Sequence, residues 1–182
     1  MNFTLNTSHK LAIKFSALCC ILLMITLPAN AQKRKKGKAD TETTEWRYEM
    51  ESVGVGSQGS AQLKVWSYSK FPETAKEQSK KNAIHGVCFR GYQGDGRVQG
   101  KDKMVTAENE LKFEKFFTDF FNDGGEYLRF VQFAGDGEIG MGDLIKVGKK
   151  EFKVGVVVKV DFPGLRSYLE EQGIVAKLGG RF

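Results

Sequence analysis

Phe152-Lys153-Val154-Gly155-Val156-Val157-Val158-Lys159-Val160 is the stretch from which the fold is read. Phe152, Val154, Val156, Val158 and Val160 alternate with Lys153, Gly155, Val157, Lys159 and Asp161. That period of two sends successive side chains to opposite faces of a strand. One face is apolar throughout and the other mixed, which suits a sheet packed on one side and wet on the other. Phe162-Pro163 follows directly and opens a helix, since proline is tolerated in a first turn. Leu165, Tyr168 and Leu169 share one face of that helix, and Gly173 is its expected end.

From the other end, Trp46, Tyr48 and Met50 alternate with Arg47, Glu49 and Glu51, a second half-buried strand. Val53 and Val55 fall on the wrong parity, and a bulge near Ser52 reconciles them. The turn Gly54-Val55-Gly56-Ser57-Gln58-Gly59-Ser60 leads into a strand from Ala61 to Ser69, with Leu63 and Val65 on one face and Trp66 and Tyr68 on the other. The two strands make a hairpin.

Phe71-Pro72-Glu73 starts a helix that runs to about His85, its inward stripe Ala75, Ser79, Ala83 and Gly86 or Val87, its wet face Lys76, Glu77, Lys80 and Lys81. Val87 to Tyr92 reads as a short buried strand, and Gln93-Gly94-Asp95-Gly96-Arg97 through Lys103 as a surface loop. Thr106 caps the next helix, with Glu108 and Glu110 in its first turn and Phe113, Phe116, Phe117, Phe120 and Phe121 as its apolar face. Asn122-Asp123-Gly124-Gly125 stops it, Tyr127 to Phe133 reads as a strand, and residues 134–142 form a glycine-rich loop. The expected architecture is α+β in two layers, a mostly antiparallel sheet with about three helices on one face.

The chain has 182 residues, 41% of them hydrophobic and 12% aromatic, with three prolines, the composition of a folded protein. Residues 1–31 read as a secretory signal peptide: Lys10 and Lys14 precede an apolar run from Phe15 to Leu27, and Ala29-Asn30-Ala31 is a small-x-small site. Cleavage is expected between Ala31 and Gln32, because a run of about 13 residues is too short to span a bilayer. Cys19 and Cys20 lie inside the run and make no lipobox. Residues 32–45 form a basic flexible linker, 46–176 the α+β domain, and 177–182 a loose tail.

Net charge is +6, but Lys33, Arg34, Lys35, Lys36 and Lys38 carry most of it, and outside them and the signal peptide 21 bases face 22 acids. A nucleic-acid-binding domain would place its basic excess on the folded surface, so no nucleic-acid partner is expected. The tail is a solvated linker with possible weak contact to anionic envelope surfaces.

Of the three cysteines only Cys88 survives cleavage, so no internal disulfide is expected. It sits in an apolar run and reads as a small buried hydrophobe rather than a reactive thiol. His85 is then the only histidine; with Cys88 it supplies too few ligands for zinc. Gly86, as a helix end, would also break the i, i+3 relation needed for a Cys-His pair. Gly54 to Gly59 spells G-x-G-x-x-G, yet a strand follows where a phosphate loop needs a helix N-terminus. Asp136, Glu138 and Asp143 lack the spacing of a calcium loop, and Asp95 lacks partners. Catalytic, cofactor and metal residues are therefore all read as none.

The strand ending at Gly54-x-Gly56, the helix with Ala75, Ser79 and Ala83, and Phe152 to Val160 running into Leu165-Arg166-Ser167-Tyr168-Leu169 resemble the LPP-twenty-type family of exported bacterial envelope proteins. The likeness covers roughly residues 50 to 90 and 150 to 172; the chain departs from the family in lacking a lipobox. The resemblance implies a non-enzymatic envelope module with no catalytic residues to carry over. The expected protein is thus periplasmic or outer-envelope associated and binds another envelope protein or copies of itself. A binder of a small apolar or glycan ligand, or a hydrolase, is the alternative.

Overall fold

The structure is a computed structural model that describes residues 46–55, 59–94 and 98–177. Residues 1–45, which hold the expected signal peptide and basic linker, residues 56–58 of the expected first turn, Asp95 to Arg97 and residues 178–182 lie outside the described residues.

Five strands form one sheet: β1 (Tyr48–Val55), β2 (Ala61–Ser69), β3 (Val131–Phe133), β4 (Leu144–Lys146) and β5 (Phe152–Val160). The order is β1-β2-β5-β3, with β4 also on β5, and every pairing is antiparallel. β5 is the centre. Its first residues pair with β4 (Leu144↔Val154) and its last with β3 (Val131↔Val160), so β3 and β4 share one edge while β1 forms the other. The nine-residue register from Ala61↔Val160 to Ser69↔Phe152 sets Leu63 and Val65 beside Val158 and Val156 on the covered face.

The helices are α1 (Pro72–Phe89), α2 (Ala107–Lys112), α3 (Glu114–Phe120) and α4 (Phe162–Glu171), with a 3-10 segment at Glu126–Phe130. Ile84, Val87 and Cys88 of α1, Phe117 and Phe120 of α3, and Leu165 and Leu169 of α4 all enter one core with Leu63, Val65, Val158 and Val160. The sheet's other face carries charged and aromatic side chains. There Trp66 lies across from Gly155, where a Cβ would sit 2.8 Å from the indole. Lys64 and Lys153 lie over Trp66, Arg47 lies over Tyr68, and Glu49 binds both Lys153 and Tyr68. Two layers of α+β structure are thus present, as the alternation implied.

Several elements match their expected bounds. β2 does so to the residue, β5 stops at Val160 where the alternation ran on to Asp161, and α4 ends at Glu171, capped by Gln172, with Gly173 at φ +71°. The β1 register shifts between Ser52 and Gly54, which is the expected bulge. Val53 is the extra residue; it points out, 42% exposed, while Ser52 is buried.

Four expectations are corrected. α1 does not stop near His85 but continues to Phe89, and Val87 to Tyr92 is no strand; only Tyr92 bridges, to Lys101. Gly86 is a contact glycine rather than a stop, since a Cβ there would lie 2.6 Å from Met50 Cε and 3.3 Å from Tyr48. The true end is Gly91 at φ +74°, and the amides of Met104 and Val105 donate to the carbonyls of Val87 and Cys88, satisfying the last turn. Second, the phenylalanine helix breaks at Phe113 (φ −108°, ψ 24°) into α2 and α3. The two halves have different anchors: Asn109 donates to the carbonyl of Ile174, whereas α3 is seated by Phe117 and Phe120 in the core. Thr106 caps α2 as expected, accepting from the Asn109 amide.

Third, Tyr127 to Phe133 is a strand only from Val131. Tyr127 and Phe130 are both buried, and a three-residue period puts them on one side where a strand would oppose them. Fourth, Lys81 does not face water but is buried, its ammonium over the Tyr127 ring. Burial, partly offset by Asp123, lowers its pKa to about 8. Among the described residues no helix is long and apolar enough to cross a membrane.

Candidate functional site

His85 sits near the C-terminal end of α1, and the close approach at Gly86 brings it under β1. Its Nδ1 is 2.7 Å from the Tyr48 hydroxyl, and its ring stacks on Trp46 with centroids 3.6 Å apart. Trp46 holds φ +47°, the one positive φ at a non-glycine among the described residues, and its carbonyl accepts from Arg90 Nη2 at 2.9 Å. The Arg90 guanidinium also lies over the Tyr48 ring. Burial first, and Arg90 second, lower the His85 pKa to about 3, so the ring is neutral at ordinary pH. Burial also holds the Tyr48 phenol protonated.

Beside this pair Trp46, His85, Phe89, Phe117 and Phe121 wall a pocket of about 200 Å³ that Glu110 and Glu114 rim. Glu110 of α2 and Glu114 and Thr118 of α3 all line this pocket, on either side of the break at Phe113. The pocket therefore combines aromatic walls with two carboxylates that have no ion-pair partner among the described residues.

Cys88 and His85 both lie within α1, so the expected break at Gly86 between them does not exist. They still form no reactive pair: His85 is engaged by Tyr48, while Cys88 is fully buried and its thiol pKa is raised by burial. Asp136, Glu138 and Asp143 are brought together around a pocket of about 350 Å³ against Gly155 and Val157. Asp143 is committed to Lys64 at 2.6 Å, and no group of three His, Cys, Asp or Glu able to hold a metal occurs among the described residues. A groove of about 370 Å³ runs along β3 between Arg129 and Lys159, and its Asp161 already caps α4 through the Gly164 amide. Gly54 lies in β1, and the strand β2 begins at Ala61 just after Gly59. The phenylalanine stripe faces the core, with Phe117, Phe120 and Phe121 buried.

The feature that sequence reasoning missed is β4 and its turn into β5. Met141 is fully exposed, and Leu144, Ile145 and Val147 are exposed by 48%, 42% and 43%. Lys146, Lys149 and Lys150 stand among them, all exposed and without an ion pair to any described residue. The nearest acids are occupied, Glu151 by Arg47 at 2.8 Å and Asp143 by Lys64. The arm is thus apolar along its strand, from Met141 to Val147, and basic at its turn, where Lys149 and Lys150 follow Gly148. A signal existed in Leu144-Ile145-Lys146-Val147, but three paired residues are too few to show a period.

The chain matches no family model, no curated protein and no solved structure.

Proposed function

We propose that this chain is an exported envelope protein that acts by associating with another envelope protein or with copies of itself, and that it is not an enzyme. The observation that carries the reading is the arm: of the seven large hydrophobic side chains exposed among the described residues, four lie within 141–147. Exposed apolar groups gathered in one place mark an interaction site, whereas scattered ones are ordinary surface. The state of His85 supports the same reading, because a general base must titrate near working pH and reach a substrate. The resemblance to the LPP-twenty-type family and the apolar run before Ala31 support export.

A photo-crosslinker at Ile145 of the full chain, expressed in its own cells, tests association. One dominant protein adduct is expected, together with its absence when the probe sits at Lys64 on the open sheet face. Protein that forms no adduct and turns over a glycan or peptide overturns the reading. Export is tested separately by N-terminal sequencing of the envelope fraction, expected to begin at Gln32 and overturned by a start at Met1.

A further inference from the structure

The arm and the His85 pocket lie toward opposite edges of the sheet. β4 sits outside β5, while the pocket is walled by Trp46, which leads into β1 at the other edge. The arm presents aliphatic side chains among three uncompensated lysines; the pocket presents aromatic walls beneath two uncompensated carboxylates. At about 200 Å³ the pocket is below the size of drug-like ligand sites but takes one branched aliphatic side chain. Arg90, which follows the pocket residue Phe89, is already held by the Tyr48 ring and the Trp46 carbonyl.

We infer that the arm of one copy docks in the pocket of the next, Val147 seating against Phe117 and Phe121 while Lys146, Lys149 and Lys150 face Glu110 and Glu114. This deepens the association reading and rests on it, naming a second copy as the partner. Because arm and pocket are different surfaces, the contact is head-to-tail and leaves a free arm and a free pocket on every pair. Such a contact propagates to a closed ring or a filament, where a two-fold dimer would stop at two. Opposite charges in the rim select the register, and reversing one side places like charges together.

Charge exchange in the full chain tests this, read by photo-crosslinking from Val147 in cells. The parent is expected to give self-adducts that map to residues 110–121. Lys149→Glu with Lys150→Glu should lower the adduct at least tenfold, and so should Glu110→Lys with Glu114→Lys, since like charges across an interface cost several multiples of RT. Co-expressing the two variants should restore it, because the acidic arm of one meets the basic pocket of the other. All four positions are exposed, so folding is checked by an unchanged melting temperature. Loss in both variants without rescue on co-expression overturns the inference. An adduct only with a different protein, or only with lipid, overturns self-docking; the first of these leaves the association reading standing, and the absence of any adduct removes both.

Discussion

The indole of Trp46 lies face to face on the imidazole of His85, the two planes inclined by 18°. Against the left-handed backbone of Trp46 stand that stacking and the Arg90 hydrogen bond to its carbonyl, and the histidine beneath is buried. A buried, neutral histidine has a consequence for stability.

In the unfolded chain His85 titrates near its ordinary 6.5; in the fold, at about 3. Between those values the unfolded state binds a proton that the folded state does not. The stabilisation is therefore complete above pH 6.5 and is lost as pH falls toward 3, by about 1.4 kcal/mol per pH unit. Between pH 6.5 and about 5, above most carboxylate titration, denaturant melts should show this slope, and His85→Phe should flatten it. An unchanged slope in the variant would show that another group titrates.

Cys88 should resist thiol reagents in the native protein, because burial disfavours its thiolate and no cation stabilises it. Labelling resolved by peptide mass should find Cys88 unmodified at neutral pH and modified once denaturant opens the core. Fast native labelling would contradict its burial.

Phe117→Ala should cost about 3 to 5 kcal/mol. Its ring meets Phe89 edge-on at 4.8 Å and also contacts Phe116 and Phe121, so truncation leaves a cavity that rigid neighbours cannot close. A loss well under 1 kcal/mol by chemical denaturation would refute the core assignment of α3.

Gly91→Ala should be more damaging than Gly124→Ala, although both glycines have φ near +75°. At Gly124 a Cβ meets nothing within 4 Å, so only the backbone cost of about 1 to 2 kcal/mol applies. At Gly91 it would also sit 2.5 Å from the Lys101 carbonyl oxygen, against backbone that cannot swing away. Paired thermal melts compare the two; equal losses would mean that the 101–103 segment yields freely.

Elements with long alternation were legible because a period of two is written in the chain itself. β2 and β5 each run nine residues, and the parity break at Val53 announced its bulge. The phenylalanine stripe was legible as core because its helical spacing is equally local. The site was much less so. Glu110 and Glu114 look like ordinary helix acids until Trp46 and Phe89 arrive from other elements, and Val147 looks like any valine.

By itself, then, the sequence determined the three long strands β1, β2 and β5, the bulge, the caps at Thr106 and Gly173, and the apolar face of each long element, all of which depend on residues within a few positions of one another. Tertiary structure decided where α1 ends, because Gly86 serves contact with Met50 and Tyr48 on β1 rather than local chain reversal. It also decided the break at Phe113, where anchors at Ile174 and in the core pull on two halves of one helix. It brought His85 under Trp46, and it left the arm bare, since whether an apolar side chain is covered depends on neighbours distant in sequence.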